Sequence, residues 1–113
     1  MTTKSSKAKG RRLQQFVAQS FLDMYPDGEF ASVTMGLAGS DVVDPYNKLP
    51  WAYTECRSRE TTASLDVIVK EMNGKAPMRG WTYISKKNRQ APVVTMDWDT
   101  FVVLMSNYFV AEE

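Results

Sequence analysis

The sequence predicts one α/β domain with a mixed central sheet flanked by helices. Apolar residues recur at helical spacing near each end and in the middle of the chain, and short β-type runs lie grouped between these stretches. The 113 residues, 43% of them hydrophobic, supply one core and leave no room for a second. Strands grouped before and after a helix favour a mixed sheet over a regular alternating one.

Leu13, Phe16, Val17, Phe21 and Met24 fall at helical spacing, with Gln14, Gln15, Gln19 and Asp23 between them. A helix over about residues 9–25 follows, ended by the turn Pro26-Asp27-Gly28. Residues 1–8, polar and basic, are read as a flexible tail ahead of a single domain over 9–113. Ala31 to Met35 has strand-type residues, Gly36 to Asp41 reads as a tight loop, and Val42-Val43 as a short strand. Trp51 to Arg57 alternates as a central strand, with Trp51, Tyr53, Glu55 and Arg57 on one face and Ala52, Thr54 and Cys56 on the other. Leu65, Ile68, Val69 and Met72 repeat with helical spacing, and Gly74 stands where a C-cap is expected. Trp81 to Lys86 and Pro92 to Met96 read as strands joined by a basic turn. Asp97 is placed to cap a last helix whose apolar face is Phe101, Leu104, Met105 and Tyr108.

Composition excludes several chemistries. Histidine is absent and Cys56 is the single cysteine, so histidine triads, the usual nitrogen and sulfur zinc sites and internal disulfides are ruled out. Cys56 is expected to be a small core residue. Metal chemistry would have to use oxygen ligands, which favours Mg²⁺ or Mn²⁺. No apolar run approaches the roughly 20 residues of a membrane helix, and the polar start lacks a signal-peptide pattern. A cytoplasmic protein without membrane partners is expected, or one that acts in a host cytosol.

The net charge of +1 says little, but its distribution says more. Lys4, Lys7, Lys9, Arg11 and Arg12 precede the first acid, Asp23, and Lys86, Lys87 and Arg89 cluster again. Solvated surface charge and two phosphate-binding patches both account for this. Gly39-Ser40-Asp41 and Glu55-Cys56-Arg57 are separated by a short strand and a loop, enough chain for Glu55 to return beside Asp41. Two carboxylates aimed at one point repel unless a cation lies between them, and a divalent ion there could activate water at a phosphodiester.

In this order and after this helix, the motifs resemble the PD-(D/E)XK nuclease superfamily, and within it small phage-encoded Holliday junction resolvase-like endonucleases. Lys9-Gly10-Arg11-Arg12-Leu13-Gln14, Thr34 through Asp41, and Leu49 through Arg57 carry the resemblance, with a weaker block from Lys86 to Val94. It spans about residue 7 to about residue 105. The resemblance implies a restriction-endonuclease-like fold, Asp41 and Glu55 as acids holding Mg²⁺ or Mn²⁺, and the Cys56 carbonyl as a further ligand. Gln14 falls where many resolvases carry a helix-borne acid, and Arg57 takes the position of the motif lysine. Lys9, Arg11, Arg12, Lys86, Lys87 and Arg89 would grip DNA, and the active form would be a homodimer cutting branched DNA such as Holliday junctions. An arginine is a poor proton acceptor. Cleavage is then carried by the metal, another lysine substitutes, or the domain has become a non-catalytic DNA-binding or assembly module. A phage structural protein with no nucleic-acid role is the third reading.

Overall fold

A computed structural model of the chain describes residues 3–33, 39–61, 63–76 and 80–109. The elements run α1 (Thr3–Met24), β1 (Ala31–Ser32), β2 (Val42–Val43), β3 (Tyr53–Arg59), α2 (Leu65–Lys75), β4 (Trp81–Lys87), β5 (Val93–Met96) and α3 (Trp98–Phe109). Among the described residues this is an α/β fold of three helices and two small sheets. β1 and β2 pair antiparallel; the second sheet has the order β3-β4-β5, with β3 and β4 parallel and β4 and β5 antiparallel. Parallel neighbours need a crossover, which α2 supplies. No helix among the described residues is long and apolar enough to cross a membrane.

The strand alternation of β3 and β4 divides the core into two layers. Cys56 and Ile84, opposite each other in register, turn to α1 and pack with Leu13, Val17, Ala18, Phe21, Phe30 and Val42. Trp81 and Tyr83 turn the other way and pack with Ile68 and Met72 of α2. Glu55 and Arg57, in register with Tyr83 and Ser85, therefore lie on the α2 face. Cys56 is buried, as expected of a core residue, and burial pushes its thiol pKa up, so it is held as a neutral thiol.

Several expectations are corrected. α1 begins at Thr3, taking in residues 3–8 that the sequence assigned to a tail. Phe16 and Met24 point to solvent, while Gln14 and Ala18 occupy the buried stripe with Leu13 and Val17. Trp51 precedes the strand and does not share the face of Tyr53 and Glu55; its ring meets Phe21 edge-on at 6.0 Å, and its Nε1 donates to Thr54 Oγ1 at 2.9 Å. Gly74 lies inside α2, whose C-cap is Ala76, donating its N–H to the Met72 carbonyl. Asp97 does cap α3, accepting from the Thr100 N–H and Oγ1 and also from the Trp81 N–H, which ties the helix start to β4. Leu104 is half-buried, but Phe101 and Met105 are exposed. The Tyr108 side chain lies outside the described residues, as do 34–38, where the first strand was to end and the loop to begin.

Candidate functional site

The site forms where the two sheets meet. β2 does not join β3 by a full ladder. The Asp41 N–H donates to the Thr54 carbonyl at 2.8 Å, and the Thr54 N–H donates to Ser40 Oγ at 2.9 Å. Beyond that point the chain leaves the sheet at Gly39, whose φ of +102° suits glycine. The next donor of β3, the Cys56 N–H, is met by the Asp41 side chain, with Oδ2 at 2.8 Å. A carboxylate thus continues the ladder where backbone pairing stops. The N–H and C=O of one strand residue point to the same edge, so the Cys56 carbonyl also faces the Asp41 side of β3. The loop that returns β3 to this edge is fixed by Asp44, which accepts from the Lys48 and Leu49 N–H groups at 2.9 Å each.

Glu55 is buried on the α2 face and carries two cations. Arg57 Nη1 bonds its Oε2, and Lys75 Nζ donates to its Oε1 at 2.9 Å. Arg57 Nη2 and Lys75 Nζ also reach Glu71 Oε2, at 2.6 and 2.7 Å. Glu55, Arg57, Glu71 and Lys75 therefore close a ring of alternating charge. Burial pulls both cations toward neutrality, but their carboxylate partners outweigh it and hold Arg57 and Lys75 above their ordinary pKa values. Burial likewise works against ionisation of Glu71, and hydrogen bonding to Lys75 with the nearby Arg57 charge wins, so its pKa is lowered.

Asp41 behaves differently. Desolvation, with the neighbouring charge and hydrogen bond of Glu55, pushes its pKa up to about 6, against the Cys56 N–H and Arg57, which act to lower it. Removal from water beside a second carboxylate thus favours the neutral form of Asp41. With Asp41 ionised, three carboxylates face two cations, a net charge of −1; with Asp41 protonated the cluster is neutral.

The structure brings Asp41, Glu55, Arg57 and the Cys56 backbone together. Gln14 lies on the buried stripe of α1, with its Oε1 lacking a hydrogen-bond partner among the described residues. Glu71 and Lys75 were not picked out in the sequence. Their signal was present, since Ile68, Glu71, Met72 and Lys75 follow one helical stripe and set two charges among core positions.

The basic residues separate from the acids. Lys9, Arg12, Lys86 and Arg89 line one groove of about 570 Å³ together with Leu13, Phe16, Ser58, Asn88 and Pro92. Ser58 and Lys86 follow Cys56 and Ile84 by two residues, so this groove opens on the α1 face, opposite Glu55. Arg11 and Lys87 are exposed outside it.

No family model, curated protein or solved structure matches this chain. Its chemistry must be read from the site itself. Among the described residues no group of three or more histidine, cysteine, aspartate or glutamate side chains is arranged to hold a metal ion. Two carboxylates and a backbone carbonyl still make an all-oxygen set of the kind Mg²⁺ takes, because that ion keeps several of its own waters. Both Glu55 oxygens are bonded to Arg57 and Lys75, and Asp41 Oδ2 accepts from the Cys56 N–H, so a hard divalent ion would compete with the two cations for Glu55.

Proposed function

We propose that the chain is a metal-dependent DNA endonuclease acting on branched DNA, with Holliday junctions as substrate, built on a restriction-endonuclease-like arrangement. The observation that carries this reading is the convergence of Asp41 and Glu55 at the edge of β3, beside the Cys56 backbone. The order of elements, a helix followed by short strands that deliver one acid and a longer strand that delivers the other, supports it. Asp41, Glu55 and the Cys56 carbonyl would hold Mg²⁺ or Mn²⁺, which supplies Lewis-acid charge and activates water when bound.

The remaining residues have roles that follow from their surroundings. Arg57 and Lys75 are both held protonated, so neither accepts a proton near neutral pH. Their part is positive charge beside the acids, positioned to stabilise a phosphate gaining negative charge. Lys75 thus supplies from α2 the ammonium that the resemblance expected at position 57.

A synthetic four-way junction incubated with Mg²⁺ tests the reading. Symmetric cuts are expected from the wild-type chain, with a loss of at least about 100-fold in Asp41→Asn and Glu55→Gln. Uncut junction at high protein concentration, with Asp41→Asn indistinguishable from wild type, would sink it. Arg57 favours a second reading, a nuclease-fold module that binds DNA without cutting it. Junction binding in gel shifts, with no cleavage under any divalent ion, is the outcome that selects it.

A further inference from the structure

The groove between α1 and the β4–β5 turn takes no part in the acid cluster, and it has the makings of a site of its own. Four cationic side chains converge there from distant parts of the chain: Lys9 and Arg12 from α1, Lys86 from the end of β4, and Arg89 from the turn. No acid is among its described lining residues. In a chain with 14 basic and 13 acidic residues, that is a local concentration of one sign. An ordinary solvated surface mixes signs; a concave surface of one sign concentrates oppositely charged ligands.

The apolar part of the groove is equally specific. Phe16 is 56% exposed, although Leu13, Val17 and Phe21 of the same helix are buried. Its ring stands on the groove wall with Leu13 and Pro92. An exposed aromatic between cations is the arrangement on which an unpaired base stacks while its flanking phosphates are held. A duplex hides its base faces and would make no use of Phe16.

The groove is also held in shape. Lys9 Nζ donates to Asn88 Oδ1 at 3.2 Å, linking its two walls across 79 residues of chain. Arg89 adopts φ +63°, a left-handed conformation rare for arginine, and the Gln90 N–H donates to the Lys87 carbonyl at 3.2 Å to close the turn. The groove lies beside the carboxyl ends of the parallel strands β3 and β4, where α/β sheets commonly receive ligands.

We propose that this groove binds a single-stranded polynucleotide, with phosphodiesters held by Lys9, Arg12, Lys86 and Arg89 and one base stacked on Phe16. The inference extends the nucleic-acid reading of the acid site, giving an unpaired strand a hold on the opposite face of the sheet. Its binding step needs neither the metal nor the acids.

Fluorescence anisotropy of labelled 15-mer oligo(dT) and oligo(rU), with the full chain in EDTA, tests it. Lys70→Glu, a charge reversal on α2 away from the groove, should bind as wild type does. Arg12→Glu combined with Arg89→Glu should weaken binding at least about 10-fold and flatten the salt dependence, the log–log slope falling by about 0.7 for each phosphate no longer held. Phe16→Ala should weaken binding about 5- to 100-fold and leave that slope unchanged. All three positions are exposed, and circular dichroism checks that the variants fold. The difference between oligo(dT) and oligo(rU) identifies the preferred strand. The proposal is overturned if the charge reversals leave binding unchanged, if a duplex of equal length binds as well, or if polyglutamate competes equally. Intact oligonucleotide binding without junction cleavage would remove the acid-site reading alone. Junction cleavage with no groove-dependent binding would remove this one alone.

Discussion

Asp41 answers two demands that conflict. Its Oδ2 completes the hydrogen bonding of β3 at the Cys56 N–H, which an ionised or a neutral side chain can do. Its position against Glu55, away from water, favours the neutral form and raises its pKa from 3.8 to about 6. Below about pH 4 the group is protonated both folded and unfolded, and its contribution to stability is fully present. That contribution is lost as the pH rises from about 4 through about 6, because over that range the unfolded chain gives up a proton that the folded protein retains. Asparagine can accept from the Cys56 N–H and donate to Glu55, as protonated aspartate does. Asp41→Asn is therefore expected to stabilise the chain by about 1–2 kcal/mol at pH 8, the two-unit shift being discounted for a half-exposed group, and to change little at pH 3.5. Urea denaturation at the two pH values measures this; a destabilised variant at pH 8 would contradict the account. Mn²⁺ should release the same proton at pH 5.5, seen by calorimetry in buffers of different ionisation enthalpy as about one proton per ion. Arg57 also explains itself at this scale. One guanidinium bridges Glu55 and Glu71 through separate nitrogens, which a lysine's single ammonium does with less fixed geometry.

At the scale of elements, α2 does two jobs with one stripe. Ile68 and Met72 bury against Trp81 and Tyr83, and Glu71 and Lys75, one turn apart, come to lie over Glu55 and Arg57. The crossover helix required by parallel β3 and β4 is thus also the carrier of the second cation. Replacing Lys75 by methionine would leave buried Glu55 with Arg57 as its remaining ion pair. Lys75 is more than a third exposed, so the expected loss is about 1 kcal/mol, well below that for breaking a fully buried pair. The same substitution makes the acid cluster more negative, so Mn²⁺ should bind several-fold tighter to Lys75→Met than to wild type while junction cleavage falls. Titration by calorimetry beside a cleavage assay separates the two; unchanged metal affinity would show that Lys75 and the ion do not share Glu55. The nuclease-like motif itself did not point to α2; Glu71 and Lys75, an i,i+4 pair, acquire their role when the fold sets them against β3.

Among the described residues, α3 keeps most of its apolar side chains uncovered. Of α3, Thr100 is buried, while Trp98 is 72% exposed and Phe101, Val102, Val103 and Met105 are all exposed. An isolated helix of 12 residues is marginal in water, and Asp99 is its one charged residue. The five exposed side chains present roughly 500 Å² per copy, so that two copies joined through α3 would bury roughly 1,000 Å², the lower bound for a specific interface. β5, at the edge of its sheet, adds the exposed Val93 and Val94. We propose a homodimer through α3, which would also give the two cuts of a junction their two sites. Sedimentation equilibrium should return about twice the 12.8 kDa chain mass at micromolar concentration, and Phe101→Glu with Val103→Glu should return the monomer. A wild-type chain that sediments as a monomer would refute this.

By itself the sequence determined the element order, the burial of Cys56 and the capping of α3 by Asp97. These rest on local spacing: period 2 in β3, helical period in α1 and α2, and a cap one residue before a helix. It misassigned Phe16, Met24 and Trp51 because an apolar side chain shows no face until the packing partner is in place. The tertiary structure alone decided three matters. It set Lys75 on Glu55, split the groove's basic residues from the acids onto opposite faces of the sheet, and left most apolar side chains of α3 exposed among the described residues. Each depends on which face of an element meets which neighbour, and that is fixed by the register of β3 on β4 and by the crossover between them.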